Sequence, residues 1–416
     1  MDRISNYQIF SRATQEMMMN TLAVNRTQEQ ISTGKRVLTP ADDPIASARI
    51  LQLDEDIALM DQYKKNSQAL DARLQLEEGI LAGIEEVIQR TRELTVSSGN
   101  GARNYEDRQA IAVEIRERLK EMIDLFNSRD PSGEYLFSGF AGATKPFEEN
   151  PGGGYSYKGD EGQRMLQISQ TVTLAASDSG KKIFMDIEAI KPSFLTFANS
   201  TNLGNPPGVI SAGITTNQEA FEELYPDDAV ITFNNELDVV PTAANFTVRN
   251  RRDGRVIDGL NNVRFVEGQS IPFAGIQVSI NGQPKPGDTF IVETSPKQGL
   301  IATVEKLLYG LETIQDSADS QAVITNMVDD TLSNLDFAMV SVSETRAKIG
   351  ARMNTNDDTV EMHADLKLVA QEIRSDLRDL DFAEAVSRLQ LESFILEAAQ
   401  QSYTKVSTLS LFNYIR

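Results

Sequence analysis

The chain is divided into two helix-period ends and a turn-rich middle. Residues 1 to about 128 and about 297 to 416 carry few Gly or Pro residues, whereas most of the 26 Gly and 14 Pro residues fall between them. Gly and Pro disfavour helix interiors and favour turns. The sequence therefore predicts a mainly α fold with β: a long antiparallel coiled-coil helical rod built from both chain termini, with an inserted β-rich domain.

The first helical segment carries a seam for another helix, because apolar or small residues recur on one face at spacings of three and four. This seam comprises Phe10, Ala13, Met17, Asn20, Val24, Thr27 and Ile31. Residues 32–35 interrupt the pattern, and Pro40 and Pro44 favour extended backbone before a second helix. Asp42 or Asp43 is expected to cap that helix.

Longer helices follow. A helix from Ile45 to about Ser98 would be roughly 80 Å long at 1.5 Å per residue. The apolar spacing from Tyr105 to about Asn127 predicts a third helix. The apolar positions from Leu300 to Met353 predict a helix that partners these helices. The last helix is predicted from about Thr359 to the end. Its seam comprises Leu366, Phe382, Val386, Leu389, Leu396, Tyr403 and Leu409, diluted by polar Ser393 and Gln400.

Both terminal seams are amphipathic but incompletely apolar. Each would fold poorly alone and better against copies of itself. We therefore expect the terminal seams to carry subunit assembly. The predicted assembly residues are Phe10, Met17, Val24, Ile31, Val386, Leu389, Leu396, Tyr403, Leu409 and Phe412.

The middle of the chain changes to strand period. The tracts "EYLFSGF", "YSYKGD" and "MLQISQTVTL" predict short strands around Gly-rich turns, and further strands are predicted at 230–233, 246–249, 275–280 and 289–293. Three domains result from this pattern. They are terminal assembly helices at 1–43 and 357–416, a helical rod with a β-hairpin at 44–178 and 297–356, and an inserted β-rich outer domain at 179–296.

Composition excludes several classes of function. The chain has 40 basic and 61 acidic residues, a formal net charge of −21, which would repel nucleic acid and anionic membranes, so no nucleic-acid partner is expected. Membrane insertion is not expected either, for a separate reason. No stretch approaches the ~18 apolar residues of a membrane span. The amino end lacks the uninterrupted apolar run of a cleavable secretory signal, so secretion would require another route.

Catalytic chemistry has little support in the sequence. There is no Cys, and the one His, His363, shares no helix face with Glu361 or Asp365. The glycines of "NPGGGYSYKGD" lack the Lys-Ser or Lys-Thr pair of a phosphate-binding loop. We therefore expect a non-enzymatic protein without catalytic, cofactor-binding or metal-binding residues.

Two stretches resemble a known family. The tract from Gln30 to Gly101, beginning "QISTGKRVLTPADDPIASAR", and the closing tract "DFAEAVSRLQLESFILEAAQQSYTKVSTLSLFNYIR" resemble the two terminal regions of bacterial flagellins and their hook-associated relatives. The "TPADDP" motif, "GEYLFSGFAGATKPF" and the ending "LSLFNYIR" look more like the hook-filament junction members than like flagellin. "FAGIQVSINGQPKPGDTF" resembles a tract of hook-associated proteins generally.

The resemblance implies a structural adaptor of the extracellular bacterial flagellum. It implies a ring of subunits that contacts the hook-side junction protein (hook-associated protein 1) and flagellin. It also implies export by the flagellar type III apparatus with an export chaperone, and no cofactor. Two alternatives remain open: a flagellin filament subunit, and an extracellular adhesin or enzyme activity in the inserted domain.

Overall fold

In a computed structural model of the protein, residues 6–317 and 320–412 are described. The chain divides into two compact units, Met1–Lys65 with Asp358–Arg416 and Asn66–Asp357. The helices are α1 (Asn6–Thr33), α2 (Pro44–Ser98), α3 (Tyr105–Phe126), α4 (Gln218–Leu224), α5 (Leu300–Thr313), α6 (Ser320–Arg378) and α7 (Phe382–Phe412). The mainly helical fold with a β-rich centre is confirmed.

The start of the second helix agrees with the predicted cap. The carboxylate of Asp43 accepts a hydrogen bond from the Ala46 N–H at 2.9 Å, and α2 begins at Pro44. Asp42 has a different task, because its carboxylate accepts the Leu38 and Thr39 N–H groups and closes the preceding loop. These backbone donors, led by Thr39, lower the pKa of Asp42.

The prediction of a helix start near Thr359 is wrong. α6 continues through this position to Arg378, since no Gly, Pro or capping arrangement interrupts it there. The break lies at residues 379–381, where the Asp381 carboxylate accepts the Ala383 N–H at 2.8 Å and caps α7.

A second break separates α5 from α6, where the sequence pattern suggested continuous helix. Buried Arg108 of α3 donates to the Ile314 carbonyl at 2.8 Å and to the Asp316 carboxylate at 2.8 Å. The Tyr105 hydroxyl donates to the Glu312 carbonyl at 2.6 Å. The start of α3 therefore satisfies backbone groups that the end of α5 leaves without intrahelical partners.

The core of the second unit lies between α2, α3, α5 and α6. The apolar positions predicted to form the seams of these helices are buried there. They include Leu70, Leu74, Leu81, Ile84 and Ile88 of α2, Ile115, Met122 and Phe126 of α3, Val304, Leu307 and Leu311 of α5, and Leu335, Val342 and Ile349 of α6. Burial of one continuous apolar face is the main stabilisation of such helices.

The segment between α3 and the β domain adds aromatic side chains to this core. Phe184, in a short π-helix (Lys181–Met185), stacks on Phe126 with ring centroids 3.9 Å apart. Two hairpins precede it, β1 (Phe147–Glu149) with β2 (Tyr155–Tyr157) and β3 (Met165–Gln167) with β4 (Thr173–Ala175). The strand predicted at "EYLFSGF" is wrong, because residues 134–140 form turns that bury Leu136 and Phe137.

The β domain has its own apolar core, which extends from Phe194 to Val292. Its strands are β5 (Glu188–Ala198), β6 (Val209–Ile210), β7 (Ile214–Thr215), β8 (Ala229–Phe233), β9 (Asn245–Asn250), β10 (Val263–Arg264), β11 (Ser270–Phe273), β12 (Ile276–Asn281) and β13 (Thr289–Lys297). The first sheet has the order β10-β9-β8-β13-β5. In the second sheet β11 and β6 flank β12, which also pairs with β7.

The proposed three-domain division requires two adjustments. Residues 44–65 belong to the terminal unit rather than to the rod, because Leu53 and Ile57 pack against Ala370. Ile183 and Phe184 belong to the helical core, so the β domain begins nearer to Glu188 than to residue 179. With these changes, the division into three domains stays a proposal.

One carboxyl group is buried in the helical core near two arginines but without a hydrogen bond to either. Glu77 of α2 is fully buried, and neither of its carboxyl oxygens has a hydrogen-bond partner among the described residues. Neighbouring Arg352 and Arg73 are engaged with Asp178 at 2.6 Å and Asp130 at 2.9 Å. Burial, followed by the charge of Asp178, raises the pKa of Glu77 to about 8.

We predict that Glu77→Gln stabilises the protein at alkaline pH. The pKa of Glu77 is higher in the folded state than its ordinary value of 4.5, so folding stability falls as pH rises from about 4.5 to about 8. The Gln side chain has a similar shape but does not ionise, so the variant should not lose folding stability in this way as pH rises. Urea unfolding followed by circular dichroism should show a gain of about 1–3 kcal/mol at pH 8.5 and much less at pH 5.5.

Glu86→Gln is the matched control, since Glu86 lies on the exposed side of the same helix. Its stability should follow the wild type at each pH. Equal behaviour of the two variants would refute the assignment of Glu77 as a neutral, buried acid.

Candidate assembly surface of the terminal helices

The two ends of the chain pair within one molecule, because α1 packs against α7. The α1 face at this pairing is the predicted seam from Phe10 to Ile31, whose members are half-buried or buried. Near the start of α1 and the end of α7, the Phe10 and Tyr403 rings meet edge to face with centroids 6.0 Å apart. The inward positions of α7 include Ala385, Leu389, Leu396, Ala399 and Tyr403.

Backbone hydrogen bonds connect the end of α1 to the end of α6. The Arg36 N–H donates to the Arg378 carbonyl at 2.7 Å, and the Leu380 N–H donates to the Gly34 carbonyl at 3.0 Å. The Arg36 guanidinium also donates to the Leu377 carbonyl at 2.7 Å. Gly34 has φ +69°, a conformation that a residue with a Cβ rarely adopts. These bonds fix where the chain turns before α2 and α7.

Within the same unit, residues of α2 and α6 pair mainly through charge. Lys367 contacts Asp61 at 2.5 Å, and Arg374 contacts Asp54 at 2.7 Å. Hydrogen bonding from Lys367 lowers the pKa of Asp61. The apolar contact is small and involves Leu53, Ile57, Ala370 and Leu377.

The structure places the predicted assembly residues in three groups. Phe10, Met17, Val24 and Ile31 are half-buried on the α7-facing side of α1, and Leu389, Leu396 and Tyr403 are half-buried on α7. Val386 lies off this face and is 43% exposed, because Ala385 takes the inward position. The side chains of Leu409 and Phe412 lie outside the part of the chain that the structure describes.

A different set of apolar side chains in this unit faces solvent. We call it the terminal apolar surface. Met18 is 66% and Phe394 69% exposed, far more than an apolar residue of a filled helix pair. The set comprises Met18, Met19 and Leu22 of α1, Ile45, Leu51 and Leu59 of α2, Met362, Leu366, Leu368, Val369 and Ile373 of α6, and Phe382, Val386, Leu391, Phe394 and Ile395 of α7.

Sequence reasoning based on seams missed most of this surface. It looked for one apolar face per helix, whereas the run "LQLESFIL" at 389–396 places apolar residues around most of α7. A helix that is apolar on all sides needs cover on all sides. That run and the Met17-Met18-Met19 triplet were the available signals, since Met is common at adaptable binding surfaces.

The one histidine of the chain lies in this unit and packs against an aromatic ring. The ring of His363 stacks on Tyr63 with centroids 5.4 Å apart. Among residues 6–317 and 320–412, no cluster of three His, Cys, Asp or Glu residues could hold a metal ion. Within those same ranges, no helix is both long enough and apolar enough to cross a membrane.

The termini match known sequence families. Residues 4–141 match the bacterial flagellin N-terminal helical region, and residues 332–415 match the bacterial flagellin C-terminal helical region. Flagellar hook-associated protein 3 of Salmonella typhimurium is 33% identical over 159 residues, which is 38% of this chain and 49% of that protein. Flagellin of Listeria monocytogenes is 30% identical over 118 residues, which is 28% of this chain and 41% of that protein.

The sequence matches therefore span about half the length of these curated relatives, whereas the structural matches extend further. Hook-associated protein 3 of Legionella pneumophila superposes with a TM-score of 0.54 at 27% identity, covering 79% of this chain and 98% of that one. A flagellar junction protein of the same organism gives a TM-score of 0.51 at 27% identity, covering 80% and 100%.

We predict that Leu389→Asp with Leu396→Asp separates the terminal helices in the isolated protein. Both side chains lie on the inward face of α7, and carboxylates there would be desolvated against α1. Helical circular dichroism should fall and limited proteolysis should remove the ends, while Asn66–Asp357 stays protected. Leu391→Asp with Ile395→Asp is the matched control, because these neighbours are exposed. Equal protease resistance of the two double variants would contradict the pairing.

Proposed function

The chain belongs to the flagellin superfamily, and we propose that it joins the flagellar hook to the flagellin filament as a ring of identical subunits. The observation that carries this proposal is the structural similarity to the two Legionella pneumophila proteins, which extends over nearly their whole length. The sequence similarity to hook-associated protein 3 points the same way.

The terminal apolar surface supplies the driving force in this proposal. Each exposed Leu, Ile, Met or Phe leaves apolar area in water, and burial is worth roughly 25 cal/mol per Å². A neighbouring copy that covers these side chains would recover that free energy without new folding of either chain. We therefore assign assembly between copies to the terminal apolar surface, and the α1–α7 seam to holding each subunit in a form that can assemble.

The inner position of the seam residues changes their proposed role. Phe10, Met17, Val24, Ile31, Leu389, Leu396 and Tyr403 act on assembly by positioning the outer faces of α1 and α7. Val386 is exposed and contributes to the outer face directly. Leu409 and Phe412 stay predicted contacts.

We also propose the partners and location that this role requires. The relatives are flagellar components, which supports a site of action at the extracellular flagellum. The hook-side junction protein would contact one side of the ring and flagellin the other, after type III export with a chaperone. The relatives named above are structural proteins, and no enzymatic activity is part of the proposal.

We predict that Leu391→Asp with Phe394→Asp abolishes assembly while the subunit stays folded. Both side chains are more than half exposed, so the circular dichroism of the isolated protein should match the wild type. In a strain that lacks the native gene, the variant should fail to support filaments, and flagellin should appear in the medium as monomer. Electron microscopy and immunoblotting of the medium measure these outcomes.

Val113→Asp is the matched control, because Val113 is an exposed apolar residue on α3, outside the terminal unit. It should restore filaments. Normal filaments with the double variant would contradict the assignment of assembly to the outer faces. Loss of the filament protein itself in the deletion strain would favour the alternative that the chain is a flagellin.

A further inference from the structure

A cavity lies between α5, the π-helix and strand β5 in the second unit. Its volume is about 190 Å³, and its walls are mainly apolar, with Phe184, Met185, Phe194 and Ile301 among them. Exposed Asp186 also lines it, so the cavity reaches solvent. A dry cavity of roughly 150 Å³ accommodates benzene, so this one has room for a molecule with a single aromatic ring.

A half-buried carboxyl group lines this cavity. Glu305 of α5 forms part of the wall, and its side chain makes no hydrogen bond to any residue in the described ranges. Burial, followed by the charge of Glu149, raises the pKa of Glu305 to about 7. A carboxylate that is partly removed from water is stabilised by a cation or a hydrogen-bond donor. The assembly of terminal helices makes no use of this group.

The neighbouring lysine does not supply that cation. The Lys306 amine donates to the Ser193 hydroxyl at 2.5 Å and to the Gln298 side-chain oxygen at 3.2 Å. It also lies 4.0 Å from the centroid of the Phe194 ring. Burial lowers the pKa of Lys306 to about 7, so above this pH its neutral amine does not repel a cation.

The mouth of the cavity carries both signs of charge. Lys181 and Lys297 line it together with Asp186, and Lys181 is paired with Glu161. Of the two carboxylates that line the cavity, Glu305 is less exposed than Asp186, and the walls around it suit an apolar ring. We propose that this cavity is a binding site for a small aromatic amine, with the ammonium on the Glu305 carboxylate and the ring against Phe184, Met185 and Phe194.

The test uses the full chain and three probes that share one ring: benzylamine, benzyl alcohol and benzoate. Isothermal titration at pH 8 and constant ionic strength measures the affinity of each. At this pH Glu305 is mainly ionised and Lys306 mainly neutral. Benzylamine should bind at least about tenfold more tightly than benzyl alcohol, because a charge-assisted hydrogen bond to the Glu305 carboxylate is added. Benzoate should bind least.

Two variants and one control locate the site. Glu305→Gln should remove the preference for benzylamine over benzyl alcohol, whereas Asp186→Asn, at the exposed mouth, should keep it. Ala302→Leu should prevent binding of all three probes by filling the cavity. The proposal is overturned if the wild type does not bind benzylamine, if benzoate binds as tightly, or if Glu305→Gln keeps the preference.

Discussion

The pairing of α1 with α7 is the interaction on which the terminal unit depends. It closes the chain by bringing residues near positions 10 and 403 into contact, as the Phe10 and Tyr403 rings show. Because both ends of the chain lie in this unit, the chain must pass from it into the second unit and back again. α2 makes the first of these connections and α6 the second. An insert between such helices can vary in size without altering the paired ends, and here that insert includes a β domain with its own core.

The pairing also separates two kinds of apolar residue that look alike in the sequence. The apolar residues of the seam are buried or half-buried between α1 and α7, whereas the apolar residues on the outer faces are exposed to water. Only the exposed residues can lower the free energy of association, because another copy can still remove their apolar surface from water. In the proposed adaptor, the seam residues therefore hold the two helices of one subunit together, and the outer residues bind the next subunit.

The second unit retains ionisable groups inside its packed regions. Glu77, Glu305 and Lys306 all have pKa values shifted towards neutrality by burial. Lys306 is satisfied by hydrogen bonds, whereas the buried carboxyl oxygens of Glu77 are not, and Glu305 is half-buried. The raised pKa of each glutamate makes folding stability fall as pH rises above its ordinary value, and Glu305 also borders a cavity that could supply a partner.

The sequence by itself determined the helical ends, the β-rich middle, the apolar faces of α1 to α3, and a helix cap at Asp42 or Asp43, of which the structure selects Asp43. These features depend on local periodicity, Gly and Pro placement and capping chemistry, which act within a few residues. The tertiary structure decided where α6 ends, which face of α7 turns inward, and which carboxyl groups are buried. Those outcomes depend on contacts between residues far apart in the chain, such as Gly34 with Leu380 and Arg108 with Asp316. Local periodicity carries no information about such partners, and the apolar residues around α7 offered more than one face that could be buried.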